Sequence, residues 1–125
     1  MTDRPVRTPS AAHPITVEPT GRRVVVLLGG DVVAESDNAL TLREASYPAV
    51  QYIPIADVAD GRLTPSDTTS YCPYKGEAGY YHFVTAGGDT VADAVWCYPT
   101  PCPAVAAIAG HVAFYPDKVD VRVHT

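Results

Sequence analysis

Twelve prolines and nine glycines, scattered along 125 residues, restrict this chain to short elements. Proline fixes φ and lacks a backbone donor, and glycine weakens any regular element it interrupts, so long helices are excluded where the two recur this often. Between them stand runs of β-branched and aromatic residues. Residues 22–28 (RRVVVLL), then Gly29, Gly30 and Asp31, then residues 32–36 (VVAES) predict a hairpin, because a Gly-Gly turn suits the primed turns that match strand twist. The pattern returns at residues 79–85 (GYYHFVT) and 90–98 (TVADAVWCY), joined around Gly87 and Gly88. Residues 40–45 (LTLREA) alternate apolar and polar, and residues 50–55 (VQYIPI) form a strand that Pro54 ends or pushes to an edge. Residues 111–115 (HVAFY) and 119–123 (VDVRV) add two more strands. Only residues 103–109 (PAVAAIA) read as helix, with proline in the first turn and Gly110 past the end. The expected fold is mainly β, a single compact antiparallel domain with one short helix near the C-terminus.

A chain of this length supports one ordinary core. Residues 1–21 mix proline, threonine and charge without an apolar period and read as a flexible tail, leaving residues 22–125 as the domain. Arg4 and Arg7 are not followed by an apolar stretch of signal-peptide length before Val24, and no run approaches the roughly 20 residues of a spanning helix, so a cytoplasmic protein without membrane contact is expected. Nine basic against fourteen acidic residues give a net charge of −5, with the basic ones dispersed, which disfavours nucleic acid as a partner. Three cysteines, Cys72, Cys97 and Cys102, form no CxxC pair, so free thiols are expected; a bridge between Cys97 and Cys102 stays open.

Residues 66–76 (SDTTSYCPYKG) gather hydroxyls, a thiol, two phenols and an ammonium between Pro65 and Gly76. That composition reads as a shaped loop presenting side chains. Together with AVWCYP at 94–99 and AAIAGHVAFYPDKVDV at 106–121, this run closely resembles the DUF427 family of small bacterial domains of unknown function. The resemblance covers residues 22–123, and three motifs in the right order make it specific. It implies a β-tent-like folded sheet, similar to methionine sulfoxide reductase B and to zinc-bearing domains of that architecture. The family sometimes carries a nucleotidyltransferase label. This chain departs from the zinc-bearing relatives in lacking their paired CxxC knuckles. The resemblance also places Cys97 where serine is common and Cys102 in a variable turn, so Cys72 is the better thiol candidate.

The residues expected at a ligand site are Lys75, Thr68, Thr69, Tyr74, Tyr52 and Trp96. Lys75 would answer an anionic group or polarise an oxygen, or else pair with Glu77 on the surface. The Thr68 and Thr69 hydroxyls would sit beside it, or only tighten a turn by bonding their own backbone. Alternation in 79–85 sends Tyr80 and His82 to one face and Tyr81 and Phe83 to the other, while Trp96 and Tyr98 share a face on the partner strand. Those rings would line a small-molecule pocket or form a core whose hydroxyls reach its rim. Cys72 is the catalytic candidate, with Lys75 near and His82 or His111 as base, against the alternative of a small buried hydrophobe. No spacing supports a metal site built from His82, His111, Cys72 and Cys97, and no cofactor is expected. Nucleotidyl transfer usually needs paired carboxylates, and Asp57 with Asp60 or Asp117 with Asp120 makes a poor pair. The leading expectation is an uncharacterised domain binding a small polar or anionic ligand in an aromatic-lined pocket, as monomer or homodimer. Thiol redox or group-transfer chemistry, and a protein-interaction module, are the alternatives.

Overall fold

A computed structural model describes residues 5–124 as ten strands in two antiparallel sheets. The strands are β1 (Ile15–Pro19), β2 (Val24–Leu28), β3 (Asp31–Ser36), β4 (Leu40–Glu44), β5 (Val50–Pro54), β6 (Leu63–Cys72), β7 (Gly76–Val84), β8 (Thr90–Cys97), β9 (His111–Phe114) and β10 (Asp120–Val123). Seven form one sheet in the order β1-β4-β5-β9-β8-β7-β6, and three form another in the order β10-β2-β3.

Both glycine-turned hairpins form. Leu28 pairs with Asp31, leaving Gly29 and Gly30 as a two-residue loop with φ of 58° and 85°, the left-handed pair that the primed turn requires. The helix expected at 103–109 is instead a 3₁₀ segment, Pro103–Ile108, broken at Val105, whose φ of −124° and ψ of 25° are not helical. Four of its six residues are exposed, so it gains only the burial of Val105 and Ile108, which a tight irregular turn delivers as well as a helix. A second 3₁₀ turn, Ile55–Asp57, follows β5.

The boundary of the ordered chain lies earlier than the sequence suggests. Within the expected tail, β1 pairs with β4 from Ile15 opposite Glu44 to Pro19 opposite Leu40. Ile15 and Val17 alternate inward and join the core, and an edge strand tolerates Pro19 because only one of its sides must supply donors. Residues 1–4 of that tail, Arg4 among them, lie outside the described residues.

Residues 66–72 are likewise not loop but part of β6, the opposite edge of the large sheet. Their polarity fits a strand with one exposed face and one unpaired side. The register slips between Pro65 and Thr69, a bulge at the proline. Only Pro73, Tyr74 and Lys75 form the loop, since Cys72 already pairs with Gly76.

Two clusters of buried side chains lie on opposite faces of the large sheet. Val24, Val26, Val33, Ile53, Phe83, Val95, Val112 and Phe114 pack between the sheets. Leu42, Tyr52, Ala78, Tyr98 and Ala113 pack on the other face against Val105 and Ile108, so the 3₁₀ segment fills the fold of the sheet. At roughly 1.5–3 kcal/mol for each large apolar side chain removed from water, the two clusters outweigh any single polar contact described below. Among the described residues no helix is long and apolar enough to cross a membrane.

Candidate functional site

The three-residue loop is held in place by backbone geometry. Gly76 has φ of 112°, and a Cβ there would lie 3.2 Å from the Thr100 carbonyl oxygen, so only glycine lets the loop press against residues 100–102. Lys75 closes the turn through its amide to the Cys72 carbonyl at 3.2 Å, and its own carbonyl accepts the Cys102 amide at 2.9 Å.

With its backbone pinned, Lys75 turns its ammonium to the carboxylate of Glu44, which ends β4 near the other edge of the sheet. The two side chains are only 14% and 12% exposed. The second Glu44 oxygen accepts from His13 Nε2 at 2.7 Å, and the His13 ring lies flat on Tyr74, centroids 4.0 Å apart and planes 11° from parallel. Burial alone would raise the Glu44 carboxyl, but hydrogen bonds and charge from Lys75 and His13 outweigh it and hold the group below its usual range. Leu40, opposite Tyr52, and Leu42, opposite Val50, pack in the cluster on one face of the sheet, and strand alternation puts Glu44 on that face.

Below this polar rim the aromatic residues are packed tightly. Tyr52 is 1% exposed, its hydroxyl accepts the Trp96 indole N–H at 3.1 Å, and burial pushes its phenol up to about 12. Tyr98 is shifted the same way by burial. Tyr52 is therefore core, not an open wall. Trp96 is half-buried and lines a separate cavity of about 250 Å³ with Val50, Gln51, Pro116 and Val121.

Thr68 and Thr69 do not join Lys75. Thr68 donates to Asp93 Oδ2 at 2.7 Å, and Ser66 donates to Oδ1 at 2.5 Å, which together hold that carboxyl below its usual range. Thr69 is exposed opposite Gly79. Asp93 adopts φ of 49°, donates its amide to His82 Nδ1 at 3.1 Å, and thus staples the β6 bulge to β8 across β7. Those hydroxyls shape the edge strand, as such residues do in turns. Nor does Lys75 pair with Glu77 in the way a surface lysine would; its partner is Glu44.

Cys72, Cys97 and Cys102 are all free and half-buried. Burial raises the Cys97 thiol, which opposes thiolate chemistry there. Cys72 packs beside the lower cluster, and neither His82, bonded to the Asp93 amide, nor His111, bonded to the Ala109 carbonyl, is hydrogen-bonded to its thiol. Among the described residues no three His, Cys, Asp or Glu side chains gather closely enough to hold a metal ion.

Sequence reasoning missed Glu44 and His13. Each stands 31 residues from its partner, so no local spacing could signal the contact. The only available hint was Glu44 at an apolar-face position of β4, where a carboxylate needs a partner.

The chain from residue 16 to residue 125 matches the family model described as a domain of unknown function (DUF427), labelled NTP_transf_9. No curated protein matches the chain.

Proposed function

The chain belongs to the DUF427 family, whose description carries no activity, and from its geometry we propose that it binds a small polar ligand with an acidic group at the Lys75–Glu44 rim. One observation carries the reading: a sheltered ammonium whose counter-ion has a second partner. Because His13 also holds Glu44, Lys75 can turn to an incoming anion without leaving the Glu44 carboxylate bare. A cation at 14% exposure is partly desolvated, so its attraction for an acidic group exceeds that of a surface lysine. Tyr74, stacked on His13, walls the rim, while Tyr52 and Trp96 make the floor rigid. The same reading takes the protein as cytoplasmic, in keeping with three free thiols.

The test is a thermal-shift screen of nucleotides, amino acids and organic acids on the parent protein and on Lys75→Met and Lys75→Arg. A ligand at 100 times its dissociation constant stabilises by about 2.7 kcal/mol. Acidic compounds should raise the parent midpoint, do so less with Lys75→Arg, and have no effect with Lys75→Met. Shifts that survive in Lys75→Met, or a screen in which no acidic compound acts on the parent, would sink the reading.

A further inference from the structure

His13 precedes the segment that matches the family model, which begins at residue 16, yet it is a working part of the rim. Ser10 and His13 exchange backbone hydrogen bonds of 3.2 and 3.0 Å around Ala11 and Ala12, and this tight turn presents the imidazole. The ring is 25% exposed and makes two contacts of different kinds: its face on Tyr74 and its N–H on Glu44. The chain leading to it lies on the surface. Of residues 5–12 all but Pro9 are exposed, and among the described residues the Tyr71 hydroxyl donates to the Pro5 carbonyl at 2.6 Å and the Arg7 amide to the Pro73 carbonyl at 2.9 Å.

Glu44 and Tyr74, by contrast, are fixed by β4 and by the pinned loop. If the strap lifts, they remain as a slot with an aromatic wall and an acceptor at its end. We propose that His13 is an internal stand-in for the ligand, and that this slot takes a planar nitrogen heterocycle bearing a ring or exocyclic N–H donor. The heterocycle stacks on Tyr74, donates to Glu44 Oε2 in place of His13, and leaves Lys75 for the ligand's acidic group. This assignment rests on the small-ligand reading above and names the ligand class.

Imidazole is the simplest probe, used at a pH where it is neutral. In His13→Ala the midpoint should fall, and imidazole at concentrations that leave the parent unmoved should restore roughly half or more of the loss by mass action. Adenine and cytosine should act likewise. 1-Methylimidazole, which lacks the N–H, should not, and no probe should act on His13→Ala/Tyr74→Ala. In the parent, saturating adenine should speed tryptic cleavage after Arg7 by releasing the strap, a readout that needs no variant to fold. Equal imidazole shifts in parent and His13→Ala, rescue by 1-methylimidazole, rescue that persists without Tyr74, or an unchanged Arg7 cleavage rate would overturn the assignment. Acidic ligands that act through Lys75 while leaving Arg7 protected would also overturn it, and would leave the broader reading standing. Loss of every ligand effect removes both.

Discussion

Lys75→Met keeps the length and apolar stem of the side chain and deletes its ammonium, leaving Glu44 with His13 as its one remaining partner. Exposed ion pairs contribute about 0.2–1 kcal/mol, whereas removing one partner of a fully buried pair costs about 3–5 kcal/mol. Exposures of 14% and 12% put this pair nearer the second case, and the surviving His13 bond reduces the loss, so about 2 kcal/mol is expected. With an unfolding entropy of about 2.1 cal/mol/K per residue, a chain of this length loses roughly 8 °C of midpoint. The Glu44 carboxyl is held low in the folded state, so its contribution is present above the ordinary carboxylate value near ~4.3 and fades as pH falls through the folded value. Calorimetry of parent and variant should show the full gap at neutral pH and a shrinking gap below roughly pH 4. A cycle with Glu44→Gln should give a coupling of at least about 1 kcal/mol. A neutral-pH gap under roughly 2 °C, or a gap that does not change on acidification, would refute the reasoning.

Gly76→Ala should lower the midpoint by roughly 5 °C or more, since it adds positive-φ strain to the 3.2 Å approach of the Thr100 oxygen, whereas Gly79→Ala, whose nearest neighbours would lie at 3.6 and 3.9 Å, should cost little in the same scan. Asp93→Ala should speed hydrogen exchange at residues 63–70 while leaving β8 and β9 protected, because it frees Ser66 and Thr68 from the staple. Tyr52→Phe should cost about 1–2 kcal/mol by leaving the Trp96 indole N–H without its acceptor, read by urea titration. In the parent, the buried neutral phenol of Tyr52 contributes stability that is whole below the ordinary tyrosine value near ~10 and is lost as pH rises toward about 12; Tyr98 and Tyr115 are also shifted upward, so spectrophotometric titration of Tyr52→Phe against the parent should show the loss of one late-ionising phenol.

The hairpins were readable because their signals are local: Gly-Gly turns and β-branched runs lie within ten residues of each other. The edge strands were not. Ile15 and Val17 offer two inward positions between Pro14 and Pro19, too short a period to stand out, and β6 reads as a loop because an edge strand can be polar along most of its length. At the candidate site, sequence composition picked out Lys75 and Tyr74 but not their partners. Glu44 and His13 arrive through the folding of the sheet, and the same folding seals Tyr52 away as core and sends Thr68 to Asp93. Composition shows which groups are available; only the long-range topology decides which of them meet.

The strap that carries His13 also has a practical consequence for anyone handling the protein. An affinity tag or fusion partner joined upstream of residue 5 adjoins the segment that sets His13 against Glu44 and Tyr74, whereas one joined after β10 extends from the other sheet. Preparations tagged at opposite ends would then present the slot in different states of occupancy. A test of the proposal that His13 stands in for a ligand is therefore best run on both.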